Sequence, residues 1–176
     1  LKAAFIKEKL RLHNYEEFIL INLGGGSRWQ HKKWTKEGYA ELINKLSYEK
    51  PNTAVGAIAG QEDIDFYNDV LSLTDKRDNV FLLGCENSTE DFISIIYNAD
   101  KVFTSDSLAF HIAAALDKYA VVIVGPTSHT ELDVFGNGNI LYSSKVDCLG
   151  CYLNKCDKTV TCMNSINSDE VLRYLL

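Results

Sequence analysis

Residues 101–128 read KVFTSDSLAFHIAAALDKYAVVIVGPTS, and the order of apolar and polar residues here indicates the fold class. Its pattern predicts a strand over residues 101–104, a polar corner over 105–107, an apolar helix over 108–116 and a second strand over 120–124. The helix has almost no polar face, so we expect it to be buried on most sides. A strand, a helix and a second strand joined this closely are typical of a parallel sheet.

The first turn of this predicted helix carries polar side chains. We expect Asp106 or Ser105 to cap it, while Ser107 and His111 share one face because they lie four residues apart. Helical side chains lean toward the N-terminus, so His111 is carried toward the free N–H groups of that turn. Amides, a hydroxyl, an imidazole and the positive end of a helix dipole together predict a phosphate site. The alternative, a histidine that only packs in the core, stays open.

Strand and helix patterns alternate through residues 18–124 with short connections between them. This order predicts an α/β fold with a doubly wound parallel sheet, Rossmann-like in type. A last strand is expected over 139–142 and an amphipathic helix over 168–176. Before residue 101, the predicted strands are 18–23, 53–59 and 80–83, and the predicted helices are 36–45, 64–73 and 88–97.

Ligands of such sheets bind beyond the carboxyl ends of the strands, where four candidate loops fall. The loop over 24–34, GGGSRWQHKKW, combines three glycines with cations that suit phosphate. It matches neither GxGxxG nor a P-loop, so a flexible surface loop is the alternative. After the second strand, Gln61, Glu62 and Asp63 are ribose candidates or solvated loop residues. The hydroxyls at Thr127 and Ser128 contact a ligand or merely begin a turn.

Four of the five cysteines are clustered near the C-terminal end of the sequence. They have the spacing Cys148-x2-Cys151-x4-Cys156-x5-Cys162. Clustered thiols predict a structural zinc or an iron–sulfur cluster, although this is not the spacing of a standard zinc ribbon. The alternative is free, packed thiols, which a reducing compartment permits.

Composition excludes several classes of function. The chain has 176 residues, 46% hydrophobic and 24% charged, which is ordinary for a globular domain. Its net charge of −6 argues against non-specific nucleic-acid binding and against anionic membranes. No apolar run approaches a membrane span. Because the sequence begins with Leu1 and its single methionine is Met163, we expect it to be part of a longer protein.

Three motifs stand in order along the chain. The glycine loop ends in Lys32-Lys33-Trp34, residues 106–115 read DSLAFHIAAA, and residues 124–128 read VGPTS. They are similar to K-R-W-P, D-[ST]-G-x-x-H-[LI]-A-A-[AS] and F-G-P-T of glycosyltransferase family 9, the ADP-heptose:lipopolysaccharide heptosyltransferase type. From about residue 17 onward the chain resembles the C-terminal domain of that family.

The resemblance implies the donor-binding half of a two-domain GT-B enzyme. Residues 1–16 are then a lead-in helix or linker, and 17–176 a nucleotide-sugar-binding domain with a cysteine-rich segment over 148–162. The acceptor domain would be absent from this sequence, so the chain alone would bind nucleotide without turnover. The resemblance also implies site residues, with Lys32 and His111 as catalytic, Gly25, Gly26, Ser27, Asp106, Ser107, Leu108 and Thr127 on the donor phosphates, and Gln61, Glu62 and Asp63 on ribose or base.

The implied reaction is an inverting sugar transfer from an NDP-sugar to lipopolysaccharide or another surface glycan. It requires no cofactor, and the enzyme would be cytoplasmic, in at most peripheral contact with the inner membrane. Two positions depart from the family pattern: Leu108 replaces a glycine, and Thr35 replaces a proline that equally suits a helix start. Two other functions stay open, a nucleotide-sugar epimerase of GT-B fold and a non-catalytic module that binds nucleotide or metal.

Overall fold

Six strands form one all-parallel sheet in the order β3-β2-β1-β4-β5-β6. The computed structural model describes residues 2–26 and 30–176. The strand order is that of doubly wound nucleotide-binding sheets, so the predicted fold class is confirmed. The strands are β1 (Glu17–Asn22), β2 (Thr53–Ile58), β3 (Val80–Gly84), β4 (Lys101–Ser105), β5 (Tyr119–Val124) and β6 (Gly138–Tyr142).

Helices cover both faces of the sheet. Alternate residues of β1 explain why its sequence is continuously apolar: Ile19 and Ile21 enter one core, while Phe18 and Leu20 enter the other. Helices α2, α3 and α6 pack in the first core, and α1, α4 and α5 in the second. Their bounds are α1 (Lys2–Lys9), α2 (Lys36–Glu49), α3 (Ile64–Ser72), α4 (Thr89–Asn98), α5 (Leu108–Ala115) and α6 (Ser168–Leu175).

Helix α1 packs on the body of the domain. Ile6 is buried in the second core, and the Asn98 Nδ2 group donates to the Ala3 carbonyl at 2.8 Å. The lead-in segment therefore contributes buried residues to the second core. Within the described ranges, every helix is too short or too polar to span a lipid bilayer.

Helix α5 differs from its prediction in two ways. Its N-cap is Ser107, and neither Ser105 nor Asp106 caps it. Only Ala109, Phe110 and Ala113 are buried in this helix, so the prediction that it is buried on most sides was wrong. The physical reason is that α5 contacts β4, β5 and α4 along one face, and the opposite face is exposed.

The carboxyl edge of the sheet carries the predicted loops. From β1 the chain proceeds outward to β2 and β3, and then crosses back to place β4 on the other side of β1. A crevice forms where the winding reverses, between β1 and β4. The loops after β1, β2 and β4 converge there.

The cysteine-rich segment folds over the end of β5. The Gly150 N–H donates to the Gly125 carbonyl at 3.0 Å, and the Tyr152 N–H to the Pro126 carbonyl at 2.8 Å. A Cβ atom at Gly125 would overlap the Cys162 Sγ and lie 2.8 Å from the Met163 Sδ. Glycine at position 125 thus allows this segment to lie against the strand end.

Thr35 provides a test of how α2 begins. Its Oγ1 accepts a hydrogen bond from the Gly38 N–H at 3.0 Å. Thr35→Ala should lower the free energy of unfolding, measured with urea, by about 1 kcal/mol because the cap is lost. Thr35→Ser keeps the hydroxyl and should stay close to the wild type. An equal loss in both variants would contradict a capping role.

Candidate functional site

A cavity of about 680 Å³ opens at the carboxyl edge of the sheet. Its volume is in the range of small-molecule sites, roughly 300–1,000 Å³. The walls come from the loops after β1, β2 and β3 and from the first turn of α5. They comprise residues 24–26, 59–63, 85–89 and 107–109, together with Asn22 and Phe92.

Asn22 connects the elements that meet at the β1–β4 crevice. It is 4% exposed, and its Nδ2 lies 2.9 Å from the Gly24 carbonyl, 3.0 Å from the Thr104 Oγ1 and 3.2 Å from the Ser107 Oγ. A buried amide is costly unless it is bonded in this way. Sequence reasoning missed Asn22, although a polar residue inside the apolar run FILINL was the signal that could have found it.

The first turn of α5 faces the cavity with its amides uncapped by the Ser107 side chain. The Ser107 Oγ is engaged instead with Asn22 and, at 2.9 Å, with the Thr104 Oγ1. Among the described residues, no side-chain hydrogen bond caps this helix. Ser107, Leu108 and Ala109 all line the cavity, so the positive end of the α5 dipole lies at its wall.

Lys32, Asp106 and Thr127 form a polar cluster beside this turn. The Asp106 Oδ2 accepts from the Lys32 Nζ at 2.8 Å and from the Thr127 Oγ1 at 2.7 Å. Burial raises the pKa of Asp106, but the bonds from Lys32 and Thr127, with a contribution from the His111 charge, outweigh it and lower the pKa overall. Asp106 is therefore a carboxylate at neutral pH that holds both partners.

The other predicted site residues occupy more varied positions. His111 is exposed and does not line the cavity, whereas Gln61 and Glu62 are exposed and do. Leu108 is 62% exposed and lines the cavity beside the helix amides. Ser27 lies outside the described residues.

Asp63 takes a different position from the one expected. It is 3% exposed, its Oδ2 accepts from the N–H groups of Gly25 and Gly26, and it pairs with Lys33. A carboxylate occupied by these partners is poorly placed to accept ribose hydroxyls. Asp63 also borders the cavity, but the exposed Gln61 and Glu62 are better placed to contact a ribose.

The predicted metal site is not supported. Cys148, Cys151, Cys156 and Cys162 are free thiols around a second cavity of about 290 Å³. Over residues 2–26 and 30–176, no group of three or more His, Cys, Asp or Glu side chains is arranged to hold a metal ion. Burial raises the pKa of Cys162, which keeps that thiol protonated at neutral pH. The segment packs instead, with the Cys156 N–H donating to the His31 Nε2 at 3.3 Å.

Comparison with known proteins gives a family match over most of the chain. The model of glycosyltransferase family 9 (heptosyltransferase) matches residues 3–164. The lipopolysaccharide heptosyltransferase 2 of Salmonella typhimurium is 29% identical over 99 residues, which are 55% of this chain and 28% of that protein.

Solved structures agree on the fold. E. coli ADP-heptose LPS heptosyltransferase II superimposes with a TM-score of 0.78 at 19% identity, over 99% of this chain and 50% of its own. E. coli heptosyltransferase WaaC with ADP-2-deoxy-2-fluoro heptose gives a TM-score of 0.67 at 17% identity, over 98% of this chain and 46% of its own. The chain thus spans about half the length of these structures, and its alignment covers less than a third of the curated relative.

The lowered pKa of Asp106 predicts how acid affects stability. The cluster should stabilise the fold fully above the unfolded-state pKa of aspartate, about 3.9, and lose this contribution as pH falls through the lower folded-state value. Urea unfolding of the wild type and of Asp106→Asn at pH 6 and pH 2.5 measures it. We expect the wild type to have the higher free energy of unfolding at pH 6, and the difference between the two proteins to be smaller at pH 2.5. A gap that is unchanged by acid would contradict the ionised cluster.

Proposed function

Since the chain belongs to glycosyltransferase family 9, we propose that it is the nucleotide-sugar-binding half of a GT-B glycosyltransferase. In this proposal residues 17–176 form the donor domain, and a separate N-terminal domain binds the acceptor. Membership of the family favours sugar transfer over the epimerisation that the motifs left open.

The observation that carries the proposal is the uncapped first turn of α5 at the cavity wall, with Lys32 beside it. Free helix amides and a positive dipole end attract an anionic ligand. The Lys32–Asp106 pair is electrically neutral overall, so Asp106 fixes the direction of the ammonium without cancelling the pull of the helix. A diphosphate at this point would leave its nucleoside in the cavity, near Gln61 and Glu62.

The proposed chemistry follows from the leaving group. An acceptor oxygen bonds to the anomeric carbon while the bond from that carbon to the diphosphate breaks, which inverts the anomeric centre. The bonding electron pair moves to the diphosphate oxygen, where negative charge grows, and Lys32 and the α5 amides stabilise it. The acceptor's proton goes to a base that we place on the N-terminal domain. With the charge stabilised by these groups, the proposed step needs no cofactor.

We propose an ADP-sugar as the donor, heptose-like in its sugar. The support is the heptosyltransferase family match and a structural relative, E. coli heptosyltransferase WaaC, that was solved with ADP-2-deoxy-2-fluoro heptose. Leu108 is the residue we expect to distinguish this donor from that of relatives with glycine there. Its exposed side chain stands next to the amides that would contact the diphosphate.

The acceptor in this proposal is lipopolysaccharide or another surface glycan. It would be bound through the N-terminal domain, at the cytoplasmic side of the inner membrane. The isolated chain is then expected to bind nucleotide without transferring sugar.

A thermal-shift panel of ADP, UDP, GDP and CMP tests the binding step. At 100 times its dissociation constant, a ligand should stabilise the chain by about 2.7 kcal/mol. Lys32→Ala should weaken ADP binding about tenfold or more, because a charge-assisted contact is lost and Asp106 keeps its negative charge without the ammonium partner.

Lys36→Ala is the matched control, since this lysine is exposed and contacts Asp69 away from the cavity. It should bind ADP like the wild type. The proposal fails if the wild type binds none of the four nucleotides. The site assignment alone fails if Lys32→Ala binds ADP normally.

A further inference from the structure

We infer that Asp63 is a positioning residue, whose buried carboxylate holds the glycine loop, residues 24–26, as a wall of the nucleotide cavity. The inference rests on the proposed nucleotide-binding function. It differs from that function in assigning Asp63 to the loop and not to the ligand.

The carboxylate lies under the loop and bonds to consecutive amides. Its Oδ2 accepts from the Gly25 N–H and the Gly26 N–H, both at 3.2 Å. The Asp63 side chain is 2% exposed, and its Oδ1 pairs with the Nζ of Lys33, a side chain that is 5% exposed. Protein groups therefore surround the carboxylate.

Gly24 is adapted to this carboxylate. A Cβ atom there would stand 2.8 Å from the Asp63 Oδ2 and 3.3 Å from the Gly60 amide nitrogen. Real Cβ atoms essentially never approach another atom within 3.0 Å, so the contact with the Asp63 Oδ2 excludes a side chain unless the carboxylate moves. A glycine at position 24 thus follows from the seating of Asp63, without any requirement from a phosphate.

The two lysines that follow the loop, Lys32 and Lys33, pair with different carboxylates. The Lys33 ammonium turns down to Asp63 and lies 5.0 Å from the centre of the Phe66 ring, whereas Lys32 reaches across to Asp106. Gly25 fits between them: a Cβ atom there would meet the Lys33 Cγ at 3.2 Å and the Lys32 Cβ at 3.9 Å. A loop fixed by Asp63 therefore fixes the surroundings of Lys32.

This arrangement changes the role of Gly25 and Gly26, which the sequence analysis assigned to the donor phosphates. Successive backbone amides form an anion-binding nest, and here the protein's own carboxylate occupies it. The donor phosphates are then left to α5 and Lys32, and the loop shapes the space beside them. Burying an ion pair rarely adds stability compared with apolar residues of similar volume. Stability alone therefore does not require the buried Asp63–Lys33 pair, whereas a role in positioning the loop does explain it.

Two double variants test this inference, because they differ in whether residue 63 still has an oxygen that can accept hydrogen bonds from the loop. In a Lys33→Met background, Asp63→Asn keeps an oxygen that accepts the two glycine amides, while Asp63→Leu removes it. Neither variant buries a charge at this position, so both should fold. Calorimetry on this same chain compares ADP with adenosine, which lacks the phosphates.

We expect the variant with Asp63→Leu to lose about tenfold or more in ADP affinity, equivalent to the loss of one well-made polar interaction. Its adenosine affinity should change less than about twofold, because the loop lies at the phosphate end. The variant with Asp63→Asn should recover most of the ADP affinity. A general loss of fold would weaken both ligands equally.

Equal ADP affinity in the two variants, or equal losses for ADP and adenosine, would overturn the inference. If either double variant fails to fold, Gly24→Ala replaces it, since the added methyl pushes on the carboxylate; an ADP-specific loss supports the inference, and unchanged ADP binding overturns it. A wild-type chain that binds no nucleotide would defeat the proposed function itself. Normal wild-type binding with unaffected variants defeats only the role of Asp63.

Discussion

The site depends on the Asn22 amide at the end of β1. Strand β1 is buried on both faces between β2 and β4, so its polar end must find its partners inside the protein. It finds them in the Gly24 carbonyl, the Thr104 hydroxyl and the Ser107 hydroxyl. Because these bonds occupy Ser107, the first-turn amides of α5 are left to the cavity. One buried side chain thus connects the winding of the sheet to the chemistry of the proposed site.

Local patterns predicted much of the fold. Continuous apolar runs located the strands, and the start of α2 at Thr35 was readable because a cap involves residues only three apart. The motif around Asp106 and the family resemblance located the same edge of the sheet. These features depend on neighbours in sequence, so the sequence reveals them.

The features that local patterns did not predict depend on partners that are distant in sequence. Asn22 bonds to Thr104 across 82 positions, and Asp63 bonds to Gly25 across 38. No local pattern distinguishes an exposed loop acid from one that turns inward beneath a glycine loop. The cysteine spacing likewise suggested a metal site, whereas Cys162 packs against Gly125. In each case the tertiary contact decides the role.

In the proposed site, the α5 first turn and Lys32 receive a diphosphate. A crystal structure of this chain with ADP tests it most directly, because it locates the two phosphorus atoms. We expect phosphate oxygens within hydrogen-bond distance, roughly 2.7–3.2 Å, of the α5 amides and the Lys32 Nζ, with the nucleoside in the 680 Å³ cavity. ADP seated in the cysteine-lined cavity, or phosphates pointing away from α5, would contradict it.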